Sequence, residues 1–191
     1  MIFRLTLKLS KKIGIAPLLA IPFDKIRNPL IDWNANLFTA QRIQYIILTN
    51  TVSLYSMVMY GRGITNDKQF IQEVSSYMRE FMRIDGYKAI FKKYIEPLDQ
   101  DIFFSKIIDR RVTGSMNDLV FQAKVHLNMG KLSPSDVSFR LNKSPMSYLN
   151  YSCPKDAFRE LNIEEIESPG NRQGGNNVIY INFVRPPTTR S

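Results

Sequence analysis

The stretch Asp109-Arg110-Arg111-Val112-Thr113-Gly114-Ser115-Met116-Asn117-Asp118 holds the residue types best suited to binding an anion. Ser115 followed three residues later by Asp118 has the form of a capping box, and an apolar helical pattern begins at once. A helix start there would leave backbone N–H groups free at the positive end of the helix dipole, with two guanidinium forks just upstream. Arg110, Arg111, Ser115 and Asn117 therefore form a candidate phosphate or carboxylate site. The competing reading is a purely structural cap. Asp118 then occupies the N–H groups itself, and the arginines meet water or pair with Asp99, Asp101 or Asp109.

His126 is the only histidine. An imidazole works as acid or base when a phosphate or nucleophile stands nearby, so His126 is the candidate catalytic residue. With Arg110 and Arg111 stabilising phosphoryl charge, it would make a small enzyme on phosphate substrates, such as a toxin-like nuclease. Its position beside the Leu119 and Leu127 stripe fits an ordinary boundary residue equally well. Nothing near it has metal-ligand spacing, and the single cysteine, Cys153, excludes an intramolecular disulfide and a cysteine-rich zinc site. Gly61-x-Gly63 and Gly174-Gly175 lack the Lys-Ser/Thr of a phosphate-binding loop. No metal and no cofactor are expected.

Charge is the exceptional bulk quantity: 26 Lys+Arg against 17 Asp+Glu, a formal net charge of +9. Such a balance favours RNA, DNA or an acidic protein as partner. Basic residues gather at Lys8, Lys11 and Lys12, around Lys88, Lys92 and Lys93, and at Arg110 and Arg111. Trp33, Asn34 and Asn36 add an aromatic face for stacking and amides for reading base edges, although a core tryptophan and turn asparagines would look the same. The expected function is a non-enzymatic or regulatory domain that contacts nucleic-acid phosphates through a basic face. The phosphate-substrate enzyme and a module for an acidic protein partner are the alternatives. Alternating apolar residues precede the first lysines, the reverse of a secretory signal, and no apolar run approaches the roughly 20 residues of a membrane span. A cytoplasmic protein is expected.

These residues need a scaffold, and 44% hydrophobic content is enough to build one core. Residues 2–7, 33–39, 44–50, 53–59 and 102–108 read as strands from their β-branched, aromatic and alternating content. Spacing of three and four predicts helices over 67–95, interrupted at Gly86, and over 115–129, with short helices near 137–141 and at 154–158. Asn66 or Asp67, and Ser133 before Pro134, look like caps, and Gly130 like a helix-ending glycine. The fold class is α+β: a small, mainly antiparallel sheet packed against helices in a single domain over residues 1–160. Residues 161–191 read as an acidic, then Gly/Asn-rich loop with an edge strand at 178–183, open to β-addition, and a frayed end.

Ile2-Phe3-Arg4-Leu5-Thr6, Asn28-Pro29-Leu30 with Asp32-Trp33-Asn34-Ala35-Asn36-Leu37-Phe38, Ile47-Leu48-Thr49-Asn50 with Ser53-Leu54-Tyr55-Ser56, and Gly114-Ser115-Met116-Asn117-Asp118-Leu119 are similar to one family. It consists of small bacterial proteins classed only as a domain of unknown function, and the resemblance covers roughly residues 1 to 160. It implies a compact domain and brings no activity, cofactor or catalytic residue. Many members of that family have histidine where this chain has Asn34, which argues against catalysis from that position.

Overall fold

Ile2–Leu5 (β1), Asp32–Ala40 (β2), Ile43–Asn50 (β3), Ser56–Tyr60 (β4) and Phe103–Lys106 (β5) join in one five-stranded sheet of order β4-β3-β2-β1-β5. The computed structural model describes residues 1–15, 18–22, 28–98, 102–130 and 132–161. From Met1 to Leu161 the chain is one compact unit. The expected strand 178–183, together with Asp99 and Asp101, lies outside the described residues.

All five expected strands form, but the sheet is mixed. β2–β3 and β3–β4 are antiparallel, whereas β1 pairs in parallel with both β2 and β5. Tight turns enforce the antiparallel half, while the long connections before β2 and β5 act as crossovers and leave strand direction free. The ends of two strands also move. β1 stops at Leu5 because the chain turns into helix α1 (Leu7–Lys12). β4 starts only at Ser56, because Asn50 Oδ1 accepts from the backbone of Val52 and Ser53 and from the Ser53 hydroxyl, closing a side-chain-stapled turn.

Both faces of the sheet are covered. On one, α2 (Asp67–Ile84) sets Phe70 edge-on against Phe3, with ring centroids 5.4 Å apart. On the other, Phe38, Ala40, Tyr45, Ile47 and Val58 pack with Met116, Leu119, Val120, Ala123 and Leu127 of α4 (Arg110–Asn128) and with Val137 and Leu141 of α5 (Pro134–Leu141). Burying each large apolar side chain contributes about 1.5–3 kcal/mol. The Asn66 side chain caps α2 by accepting from Gln69 N. Gly86, at φ +92°, breaks the path before α3 (Lys88–Ile90), which continues through a π turn at Phe91–Ile95 and a 3-10 turn at Glu96–Leu98. Ser133 and Asp136 form a reciprocal capping box at α5, and Pro154–Arg159 forms α6.

The sheet edges are not bare. Asn142, following α5, accepts from Ser56 N and donates to Ser56 O, while Ser138 Oγ accepts from Val58 N. These side chains take the place of a sixth strand along β4. At β5, Lys106 N donates to Leu19 O and Ser105 Oγ accepts from Ile21 N. Among the described residues no helix is long and apolar enough to cross a membrane.

Candidate functional site

The expected anion site loses its geometry because α4 starts upstream of Ser115. Asp109 is the N-cap, its Oδ1 accepting from Arg111 N at 2.7 Å, and Gly114 is carried inside the helix. Ser115 is buried within α4 and Asn117 is exposed on it. Their N–H groups belong to the helical ladder, so there is no Ser115–Asp118 capping box and no cluster of free donors there. At the true start the Asp109 carboxylate takes the Arg111 N–H and places a negative charge at the helix terminus, where an external anion would be repelled. Arg110 and Arg111 are exposed in the first turn; Arg111 lies 3.6 Å from Asp109 and 6.0 Å from the Tyr148 ring centroid.

His126 is half-buried on the same helix, roughly 22 Å along the axis from Arg111 at ~1.5 Å per residue. That separation is too long for the imidazole and the two arginines to contact one phosphate group together. Trp33 and Asn34 are both fully buried. Trp33 Nε1 donates to Leu30 O and Asn34 Nδ2 to Thr51 Oγ1, each at 2.8 Å, so neither presents a surface to a base. They form structure because β2 is central and covered on both sides. Asn36 is half-buried and accepts from the Thr6 hydroxyl at 3.2 Å. Lys88, Lys92 and Lys93 are exposed on α3 and the π turn. Arg79 beside them is engaged by Glu96 at 3.2 Å and by the Phe91 ring at 5.6 Å.

A cationic, aromatic cleft not expected from the sequence lies at the β2–β3 hairpin. It is a half-open depression of about 580 Å³ lined by Arg42, Ile43, Gln44, Tyr60 and Arg62. Ala40 and Ile43 pair directly, so Gln41 and Arg42 alone make the turn, and both are left-handed at φ 47° and 64°. That is the mirror-type hairpin turn usually given to Asn-Gly. Placing Gln and Arg there costs about 1–2 kcal/mol per residue. Gln41 Nε2 donates to Asn128 O at 3.3 Å, fastening the turn to the end of α4.

Three rings lead into the cleft. Phe38, Tyr45 and Tyr60 are cross-strand partners on β2, β3 and β4, stacked with centroids 5.6 Å and 5.4 Å apart. Tyr45 is buried, whereas Tyr60 is 55% exposed. Tyr60 thus has a ring supported from behind and open in front. Arg42 and Arg62 make no ion pair among the described residues, and Lys12 Nζ, beyond the cleft lining, donates to Gln44 Oε1 at 2.7 Å. Gly61 sits between Tyr60 and Arg62 with no room to spare: an added Cβ would meet Ile46 Cγ1 at 3.2 Å, and its N–H donates to Gln44 O. The available sequence signal was a Tyr-Gly-Arg-Gly end to a strand, opposite an arginine in a two-residue turn.

A second polar arrangement is wholly interior. Ser105, Arg4, Asn34, Thr49 and Ser56 are successive cross-strand partners spanning all five strands, and every one is buried. Arg4 Nε donates to Asp32 at 2.8 Å and Nη1 to Ile21 O at 2.7 Å. Burial pushes the Asp32 carboxyl above its usual range, against the opposing pull of Arg4 and Thr51. Elsewhere, Asp85 accepts from the Tyr55 hydroxyl at 2.6 Å and from Lys155 Nζ. Burial drives the Tyr55 hydroxyl far above its normal range and Tyr87 up to about 12. Cys153 Sγ donates to Lys143 O at 3.1 Å. Among the described residues no three His, Cys, Asp or Glu side chains group as metal ligands.

No curated protein and no solved structure shows significant similarity to the chain. A family model described as a domain of unknown function, DUF6933, matches residues 2–157. That span takes in every strand of the sheet, the hairpin cleft and the buried polar row, and the chain belongs to the DUF6933 family.

Proposed function

We propose that this domain binds single-stranded nucleic acid at the hairpin cleft, with phosphates held by Arg42, Arg62 and Lys12 and one base stacked on Tyr60. The observation that carries the reading is the open face of Tyr60, backed by buried Tyr45 and flanked by two arginines without acidic partners among the described residues. An aromatic platform beside guanidinium forks suits an unpaired base with its phosphate, because every base has a π face and arginine matches phosphate geometry. A duplex keeps its base faces stacked, so Tyr60 gains nothing from one. The net charge of +9 adds long-range attraction.

Fluorescence anisotropy of short labelled RNA and DNA strands, titrated at several salt concentrations, tests the reading. Three cation–phosphate contacts give a log–log salt slope of about −2, at ~0.7 per contact for single strands. The matching duplexes should bind more weakly at each salt concentration. Absence of association at low salt would overturn the reading.

A further inference from the structure

Asn34 Oδ1 is a buried acceptor to which no group among the described residues donates. The direction of the neighbouring hydrogen bonds explains why. Asn34 Nδ2 donates to Thr51 Oγ1 at 2.8 Å, which turns Oδ1 away from Thr51. Across the strand pair, the Ser56 hydroxyl donates to Leu54 O, so the proton between Thr49 and Ser56 comes from Thr49. Asn34 and Thr49 are direct cross-strand partners, both fully buried, and both send their donors away from each other. Two acceptors, Asn34 Oδ1 and the remaining lone pair of Thr49 Oγ1, are left on adjacent strands. Cross-strand partners have Cβ atoms about 4.5–5.5 Å apart, a spacing that one small donor can bridge.

We propose that Asn34 and Thr49 form an internal site for a single water molecule, which donates one proton to Asn34 Oδ1 and the other to Thr49 Oγ1. The ligand class follows from the chemistry. The site requires two donors and no charge, and the neighbouring Arg4 guanidinium disfavours a cation. A buried water with two or more polar partners is an integral part of a fold, and leaving a buried acceptor unmet is costly. The water joins the Asn34–Thr51 bond on one side to the Thr49–Ser56 bond on the other. This inference is independent of nucleic-acid binding.

A crystal structure of the full chain with its ordered solvent provides the test. The expected result is a water about 2.7–3.2 Å from Asn34 Oδ1. Apolar atoms alone around Oδ1, or an amide rotated so that Oδ1 accepts from Thr51, would overturn the proposal. In solution, water-oxygen magnetic relaxation dispersion counts long-lived internal waters, and Asn34→Leu should lower that count by one. An unchanged count in folded Asn34→Leu would contradict the site. If that variant does not fold, the crystal structure of the unmodified chain decides by itself.

Discussion

Asn142 binds Ser56 as a neighbouring strand would, its amide donating to Ser56 O at 2.9 Å and its Oδ1 accepting from Ser56 N at 2.7 Å. One side chain therefore satisfies both backbone groups of an edge residue buried beneath α5. Replacing Asn142 by alanine strands a buried donor and a buried acceptor, for a loss of about 2–6 kcal/mol at 1–3 kcal/mol per group. Urea unfolding should show the lower midpoint. Because β4 is an edge, the variant should also associate at high concentration, visible by light scattering.

The buried Arg4–Asp32 pair makes a pH-dependent prediction. Arg4→Met leaves the Asp32 carboxylate without its cation and should cost about 3–5 kcal/mol near neutral pH. Burial already raises the folded-state value of Asp32 above 3.8, and losing Arg4 raises it further. An acid shifted upward contributes stability below its unfolded value and loses that contribution as pH rises through the folded value. The deficit of Arg4→Met should therefore shrink as pH falls towards 4, measured by denaturant unfolding across that range.

Tyr55 and Tyr87 set the alkaline limit. Both hydroxyls are raised from 10, Tyr87 to about 12, with burial as the first cause. Their stabilising contribution is complete below pH 10 and is lost as pH rises from about 10 through 12, because only the unfolded chain ionises them freely. Phenolate absorbance should show these two tyrosines ionising together with loss of circular dichroism.

The start of α4 can be read by mutation. Asp109→Ala removes the observed cap and should cost about 1 kcal/mol. Ser115→Ala lies inside the helix, where alanine has the better propensity, and should change stability by less than ~0.5 kcal/mol. Thermal melts of the two variants distinguish this arrangement from a helix beginning at Ser115.

The same helix shows where sequence reasoning reached its limit. The apolar stripe Met116, Leu119, Val120, Ala123 and Leu127 was legible because three- and four-residue spacing has no other simple reading, and it is the stripe that packs on the sheet. The start was misplaced because Ser115-x-x-Asp118 has cap chemistry, while Asp109 can also cap. Strand positions were legible from Ile, Val and aromatic content. The parallel pairing of β1 with β2 and β5 was not, since composition does not encode strand direction. The basic residues were countable but not placeable: Arg42 and Arg62 meet only because β2–β3 and β3–β4 pair in register. Trp33 and Asn34 misled in the opposite sense, because polar and aromatic groups suited to binding are equally suited to a buried row.

Tyr60 separates stacking from simple charge attraction. Tyr60→Ala should weaken single-strand binding by about 1–3 kcal/mol, the value of one base–aromatic stack, while Tyr60→Phe should keep most of it. The salt slope should be the same in both variants, because neither removes a cation. Anisotropy titrations at two salt concentrations measure both quantities.

The most direct test compares the salt dependence of single-strand binding for the unmodified protein and for Arg42→Ala/Arg62→Ala, with circular dichroism confirming the fold. The hairpin-cleft account expects the log–log slope to fall in magnitude from about 2 to about 0.7, one cation remaining at Lys12. An unchanged slope and affinity in the folded double variant, or no binding by the unmodified protein at low salt, would contradict it.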